Sequence, residues 1–210
     1  MHRRPTPEET EARERLRRFR RGETEELVFK HPTGHPATPT GFCFCDRGAL
    51  RMVLFCVKAA LLDLVLKLPW NGPKLRLLRR LGARIGENVY ISARAWIDPM
   101  FPDLLTIEDN VFIGMEARIL MHEFRIDEFR AGKVILRRGC MIGAFALIGC
   151  GTEIGEGATV GAAACVKRAI PAGATAIGNP VRLLRTGAPE AELENPQPPD
   201  GGGNDGSSRP

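Results

Sequence analysis

Residues 140–166 read CMIGAFALIGCGTEIGEGATVGAAACV, and every sixth position, Ile142, Ile148, Ile154, Val160 and Val166, is a branched aliphatic. The same period extends back through Leu136, through Ile107, Ile113 and Ile119, and through Ile85, Ile91 and Ile97. Four residues after most of these stands a second compact side chain: Val89, Ala95, Val111, Ala117, Cys140, Ala146, Thr152, Ala158 or Ala164. A spacing of six drifts around a helix of about 3.6 residues per turn, so no helix keeps these positions on one face. A short strand followed by a tight turn does. Three such units close a triangular coil, and stacked coils bury a continuous aliphatic column. Asn88, Asn110, Gly139, Gly151 and Gly157 fall at corners, where a turn with φ > 0 favours Gly and Asn. The period predicts an all-β solenoid, a parallel β-helix spanning residues 82–185.

Composition agrees with a narrow interior. Tyr90 is the only Tyr, Trp70 and Trp96 are the only Trp, and Gly numbers 23 in 210 residues. A triangular core has room for Val, Ile, Ala and Cys but little for rings. The six Cys show no paired framework and no secretory signal precedes them, which points to a reducing, cytoplasmic setting. Cys43 and Cys45 have no second pair or ligand His at zinc-site spacing, so no metal is expected. The net charge is +5, without interleaved aromatics or a binding motif for nucleic acid, and no nucleic-acid partner is expected.

Outside the repeat the chain divides into an N-terminal arm (1–48), an apolar segment (49–81) and a tail (186–210). In the arm, Glu9/Arg13, Glu11/Arg15 and Glu14/Arg18 sit at helical spacing, and Pro32, Pro36 and Pro39 mark a linker. Residues 49–70, ALRMVLFCVKAALLDLVLKLPW, are long enough to cross a bilayer, but Arg51, Lys58, Asp63 and Lys67 interrupt them. Central charges cost roughly 2.5–3.5 kcal/mol each on insertion scales, so a helix capping or flanking the solenoid is expected. The alternative is an interfacial helix at a membrane surface, helped by Lys74, Arg76, Arg79, Arg80 and Arg84. The tail, rich in Gly, Pro, Asp and Ser, reads as disordered.

Chemistry is expected where the repeat breaks, because a solenoid tolerates insertions only at its corners. One break is IDPMFPDLLT (97–106), and the other is ILMHEFRIDEFRAGKVIL (119–136). The second holds His122, the only His in the repeat. Imidazole, with an ordinary pKa of about 6.5, suits removal of a proton near neutral pH. A carboxylate or carbonyl should hold its other nitrogen; Asp98, Glu123 and Asp127 are the candidates, and the sequence does not choose among them. No G-x-S-x-G elbow and no Cys matched to a His indicates a covalent intermediate on the protein.

The strings IGENVYIS, TIEDNVFIG, CMIGAFALIGCGTEIGEGATVGAAACV and IGNPVRLLR resemble the hexapeptide-repeat acyltransferases, in particular the sugar O-acetyltransferases of the galactoside, maltose and capsule or colanic acid type. The resemblance implies left-handed coils and an acyl-CoA-dependent O-acetyltransferase that takes acetyl-CoA as donor and a sugar or cell-envelope glycan precursor as acceptor. It also implies a homotrimer with the donor in the groove between subunits. His122 matches the family's general base, working in a ternary complex, and Asp98 loosely matches an acceptor-binding position. Ala144, which follows Gly143, matches the backbone N–H donor to the thioester oxygen, and Ala162 lies beside the pantetheine arm. Lys167, Arg168, Arg182 and Arg185 are cations for the phosphates of CoA, although Ala169 replaces the acid usual there. Three other readings follow from the same fold: an N-acyltransferase on an amino sugar, a carbonic anhydrase and a non-catalytic assembly subunit. One His in the repeat speaks against the anhydrase, which needs three His ligands per zinc.

Overall fold

Strands of two residues have too few hydrogen bonds to persist alone, and what fixes them here is pairing with the same segment one turn later. The computed structural model describes residues 48–125 and 128–184, strand 26–30, and residues 11, 14, 15, 17–19, 21 and 24. Strand β1 (Glu26–Lys30) is followed by helices α1 (Gly48–Lys67) and α2 (Asn71–Arg80). The first coil is β2 (Arg84–Ile85), β3 (Tyr90–Ile91) and β4 (Trp96–Ile97), and the second is β5 (Leu105–Ile107), β6 (Phe112–Ile113) and β7 (Arg118–Ile119). A hairpin of β8 (His122–Phe124) and β9 (Glu128–Gly132) intervenes. The third coil is β10 (Val134–Leu136), β11 (Met141–Ile142) and β12 (Leu147–Ile148), and the fourth is β13 (Glu153–Ile154), β14 (Thr159–Val160) and β15 (Cys165–Val166). Strands β16 (Thr175–Ile177) and β17 (Arg182–Leu184) close the solenoid.

Successive strands enter three parallel sheets in turn, ordered β2-β5-β10-β13, β3-β6-β11-β14-β16 and β4-β7-β12-β15, with β17 antiparallel on the edge of the second. The register aligns Ile85 with Ile107, Leu136 and Ile154, then Ile91 with Ile113, Ile142 and Val160, then Ile97 with Ile119, Ile148 and Val166. Apart from Ile85, all of these are buried, as are the compact residues four positions later. Among the described residues, Thr152 is the one inward position whose hydroxyl has no partner.

Asn88, Asn110, Gly139, Gly151 and Gly157 all have positive φ, as the corner reading requires. A second corner, between the second and third sheets, uses Arg94, Glu116, Phe145 and Ala163, with φ of 64°, 56°, 60° and 56°. None of these residue types favours that region, so cross-coil bonds must hold it. Phe145 N–H donates to Met115 C=O at 2.9 Å and Ala163 N–H to Ala144 C=O at 2.9 Å.

The expected helical segment 49–81 is two helices, because Pro69 has no N–H and disfavours helical Leu68. The first lays Leu62 and Leu66 on the coil, and its Leu66 carbonyl accepts from Arg94 N–H at 2.9 Å. The second covers the open edge of the first coil. Asn71 Nδ2 donates to Val89 C=O at 2.7 Å and its Oδ1 accepts from Ile91 N–H at 3.0 Å, the pairing a further strand would supply. Lys74, fully buried, donates to Ile91 C=O at 2.8 Å, and burial pushes its ammonium below the usual pKa.

Among the described residues no helix is long and apolar enough to cross a membrane. Glu9, Arg13, the linker prolines, Cys43, Cys45, Asp127 and the tail from 185 onward lie outside the described residues. One part of the arm has a role that its composition does not announce. Strand β1 pairs antiparallel with β9, so that the order β1-β9-β8 makes a fourth, separate sheet. Phe19 and Leu27 are buried with it.

Close stacking of the coils makes some glycines irreplaceable. A Cβ on Gly114 would lie 2.6 Å from Ala144 N, whereas one on Gly149 would meet the flexible Lys167 side chain at 3.3 Å and the Val166 carbonyl oxygen at 3.4 Å, an ordinary contact distance. Gly114→Ala should lower the melting temperature sharply, and Gly149→Ala should be tolerated. Thr152→Val should raise stability by about 1 kcal/mol, read from the denaturant midpoint, because it removes a buried hydroxyl with no partner.

Candidate active site

Both excursions leave the coil at the same corner, between the third sheet and the first, in consecutive turns. Residues 98–104 make a loop with a 3-10 turn at Pro102–Leu104, and residues 120–133 hold the β8–β9 hairpin. Stacking therefore lays the start of one over the start of the other. Asp98, just past β4, is anchored by its own N–H to Ile119 C=O at 3.0 Å.

The Asp98 carboxylate is fully buried and accepts three hydrogen bonds. Met100 N–H donates to Oδ1 at 2.8 Å, Met121 N–H to Oδ2 at 3.2 Å, and His122 Nδ1 makes a short contact to Oδ2. With two backbone N–H groups already donating to it, the carboxylate serves as acceptor to the ring as well, which assigns the ring proton to Nδ1. Nε2, with no partner among the described residues, is left with a lone pair able to accept a proton. The ring is packed by Phe101, Phe124 and Phe129, with centroids at 5.8, 5.0 and 6.0 Å, which limits its rotation and excludes water from its faces. Of the candidate carboxylates among the described residues, Asp98 and Glu123, Asp98 is thus the one bonded to the imidazole.

Glu123 turns elsewhere. Its carboxylate takes Lys167 Nζ at 3.3 Å and Arg125 Nε at 3.5 Å. Burial raises the Glu123 pKa, but the charges and hydrogen bonds of Lys167 and Arg125 outweigh it and hold the carboxyl below its usual value. Lys167 and Arg168 follow β15 and lie at the same corner of the prism as the hairpin. Arg168 Nη2 donates to Val181 C=O at 3.4 Å, and Arg182 is exposed on β17.

Gly143, Ala144 and Ala162 stand at a different corner, between the second and third sheets. The Ala144 and Ala162 N–H groups donate no hydrogen bond among the described residues, and a Cβ on Gly143 would lie 2.6 Å from Ala162 N. Within one chain the sequence candidates thus fall into two groups separated by the width of the third sheet. Asp98, His122, Glu123, Lys167 and Arg168 make one, and Gly143, Ala144 and Ala162 make the other. Sequence reasoning missed the three Phe around the imidazole and the strand β1 that braces the hairpin. Phe124 and Phe129, in the same break as His122, were the available signal. No group of His, Cys, Asp and Glu able to hold a metal occurs among the described residues.

No protein-family model matches the chain. It is 38% identical over 119 residues to YvoF of Bacillus subtilis, a protein named as an acetyltransferase, across 56% of this chain and 69% of the relative. It is 26% identical over 133 residues to WcaF of Escherichia coli, named for acetyl transfer in colanic acid biosynthesis, across 52% of this chain and 72% of the relative. A solved hexapeptide-repeat acetyltransferase of Vibrio cholerae superposes with a TM-score of 0.51 at 19% identity, covering 66% of this chain and 94% of that one, a likeness of fold.

The two carboxylates beside His122 should separate by mutation. Asp98→Asn removes the charge that fixes the imidazole tautomer and should lower turnover by roughly two to four powers of ten. Glu123→Gln, which leaves the ring untouched, should change turnover by less than about tenfold. Steady-state kinetics on variants with unchanged circular dichroism would read the difference, and equal losses would remove Asp98 from its orienting position.

Proposed function

The chain belongs to the hexapeptide-repeat acetyltransferases, and from that premise we propose that it moves an acetyl group from acetyl-CoA to a hydroxyl of a sugar or cell-envelope glycan precursor. The observation that carries the proposal is the His122 imidazole, held by a buried carboxylate through Nδ1 with Nε2 unpaired among the described residues. Nε2 takes the acceptor proton as the hydroxyl oxygen attacks the thioester carbonyl. The oxyanion that forms is met by the backbone N–H of Ala144. The carbon–sulfur bond then breaks, and the proton held by His122 leaves with the CoA thiolate. No acyl-enzyme intervenes, because no Ser or Cys nucleophile is paired with the imidazole among the described residues.

The division of the candidate residues between two corners supports a shared site. His122 and Ala144 of one chain flank opposite ends of the third sheet, so a single copy cannot close both around one thioester. In a homotrimer of parallel, left-handed prisms, the corner carrying Gly143, Ala144 and Ala162 in one subunit faces the corner carrying His122 in the next. The pantetheine arm then runs along unbonded N–H groups and small side chains, and Lys167, Arg168 and Arg182 are the cations for its phosphates. Arg185 lies outside the described residues. We place the enzyme in the cytoplasm, where acetyl-CoA is made.

His122→Ala should lower turnover by roughly two to four powers of ten with little change in acetyl-CoA affinity. Arg168→Ala should raise the KM for acetyl-CoA with a smaller loss of turnover. A thiol-release assay on a panel of sugars and amino sugars reads both and decides whether oxygen or nitrogen is acylated. Light scattering that gave a monomer at micromolar concentration would dissolve the shared site, and unchanged turnover in a stable His122→Ala protein would remove the base.

A further inference from the structure

Helix α1 is apolar on both sides. Leu62 and Leu66 are buried against the first coil, whereas Val53, Leu54, Val57, Leu61 and Leu64 are between 47% and 60% exposed. Positions 53, 57, 61 and 64 follow the spacing of one helical face, opposite the packed one. Trp70, 66% exposed, continues the apolar surface at the turn into α2. A soluble surface helix normally presents polar residues there, and an apolar face of this extent is suited to docking.

Charge identifies the kind of occupant. Residues 48–85 contain eight Lys and Arg against one acid, Asp63, which is itself bonded to Lys67 at 2.5 Å. Arg76, Arg80 and Arg84 are exposed and have no ion-pair partner among the described residues. A second copy placed symmetrically on this face would bring one basic segment against another, which like-charge repulsion opposes. A layer of anionic headgroups over hydrocarbon satisfies both features, taking the apolar stripe below and the guanidinium groups at the charged plane. Trp at the boundary fits the same depth. The helix does not cross, since none among the described residues is long and apolar enough.

We infer that α1 and α2 form a peripheral docking surface for an anionic lipid bilayer, with α1 lying in the headgroup region. The inference is independent of the acyl-transfer reading. The surface belongs to the cap on the first coil, so bound protein stands with that end of the solenoid toward the lipid.

Vesicle flotation of the full chain tests it. The protein should float with vesicles of phosphatidylglycerol and phosphatidylcholine in equal parts, remain unbound with phosphatidylcholine alone, and be released by added salt. Val57→Ser with Leu64→Ser should weaken binding roughly tenfold or more, and Arg76→Glu with Arg80→Glu should do the same from the electrostatic side. Neither pair touches the proposed catalytic groups, so acetyl transfer to a soluble acceptor should be unchanged in both. Absence of flotation with anionic vesicles would overturn the inference. So would a smaller particle mass for the Val57→Ser, Leu64→Ser protein in light scattering, because a second copy would then be the occupant.

Discussion

Parallel pairing of each short strand with its counterpart one coil later sets what every other part of this chain is allowed to do. Since Ile85, Ile107, Leu136 and Ile154 must stay in line, any extra residues have to leave and rejoin the coil at one corner. Two such excursions in consecutive turns are forced to lie one above the other. That stacking brings Asp98 from the first loop under Met121 and His122 from the second, although 24 residues separate Asp98 from the His. The proximity of carboxylate and imidazole is thus a consequence of register, and a frameshift of either loop by one residue would break it.

The same pairing that builds the coil leaves its first turn with an unmatched edge, and the chain answers with side chains. Asn71 presents an amide to Val89 and Ile91 much as a strand would, and Lys74 takes the Ile91 carbonyl. Burying an ammonium is unfavourable and pushes its pKa down, but an unmatched carbonyl beneath a leucine-rich helix is also costly. The far end is closed differently. There the chain turns back and β17 pairs with β16 through backbone bonds. The two helices α1 and α2 thus sit at one end of the prism, and the apolar face that points outward sits with them.

What could be read from the sequence tracks how locally each feature is determined. Ile142 and Ile148 announce the coil because a six-residue period keeps neither a helical face nor the short length of an ordinary hairpin, and Asn88 or Gly157 announce a corner because their backbones tolerate positive φ. Phe145 and Ala163 adopt the same conformation with no such signal, since the bonds that hold them come from the coil below. His122 was legible as the single His in a break. Its partner was not, because Asp98, Glu123 and Asp127 are chemically alike and only stacking distinguishes the first two. Strand β1 was hidden for the same reason. The segment ELVFK has strand-forming residues, but its partner β9 lies about a hundred residues away, in a hairpin that exists only once the second coil has formed.

Asp98 and Glu123 show how burial assigns different work to identical charges close to one imidazole. Asp98 has no solvent, so its charge must be met entirely by fixed donors, and two of those are backbone N–H groups that cannot turn away. The third is the His122 ring, which is thereby held in one orientation before any substrate arrives. Glu123 is partly solvated and has flexible cationic partners, Lys167 and Arg125, each able to exchange it for water or for another anion. It ties the hairpin to the fourth coil without constraining the ring. A rigid contact at the imidazole and an exchangeable one at its rim are what the acyl-transfer proposal asks of a fixed base beside a phosphate-bearing donor.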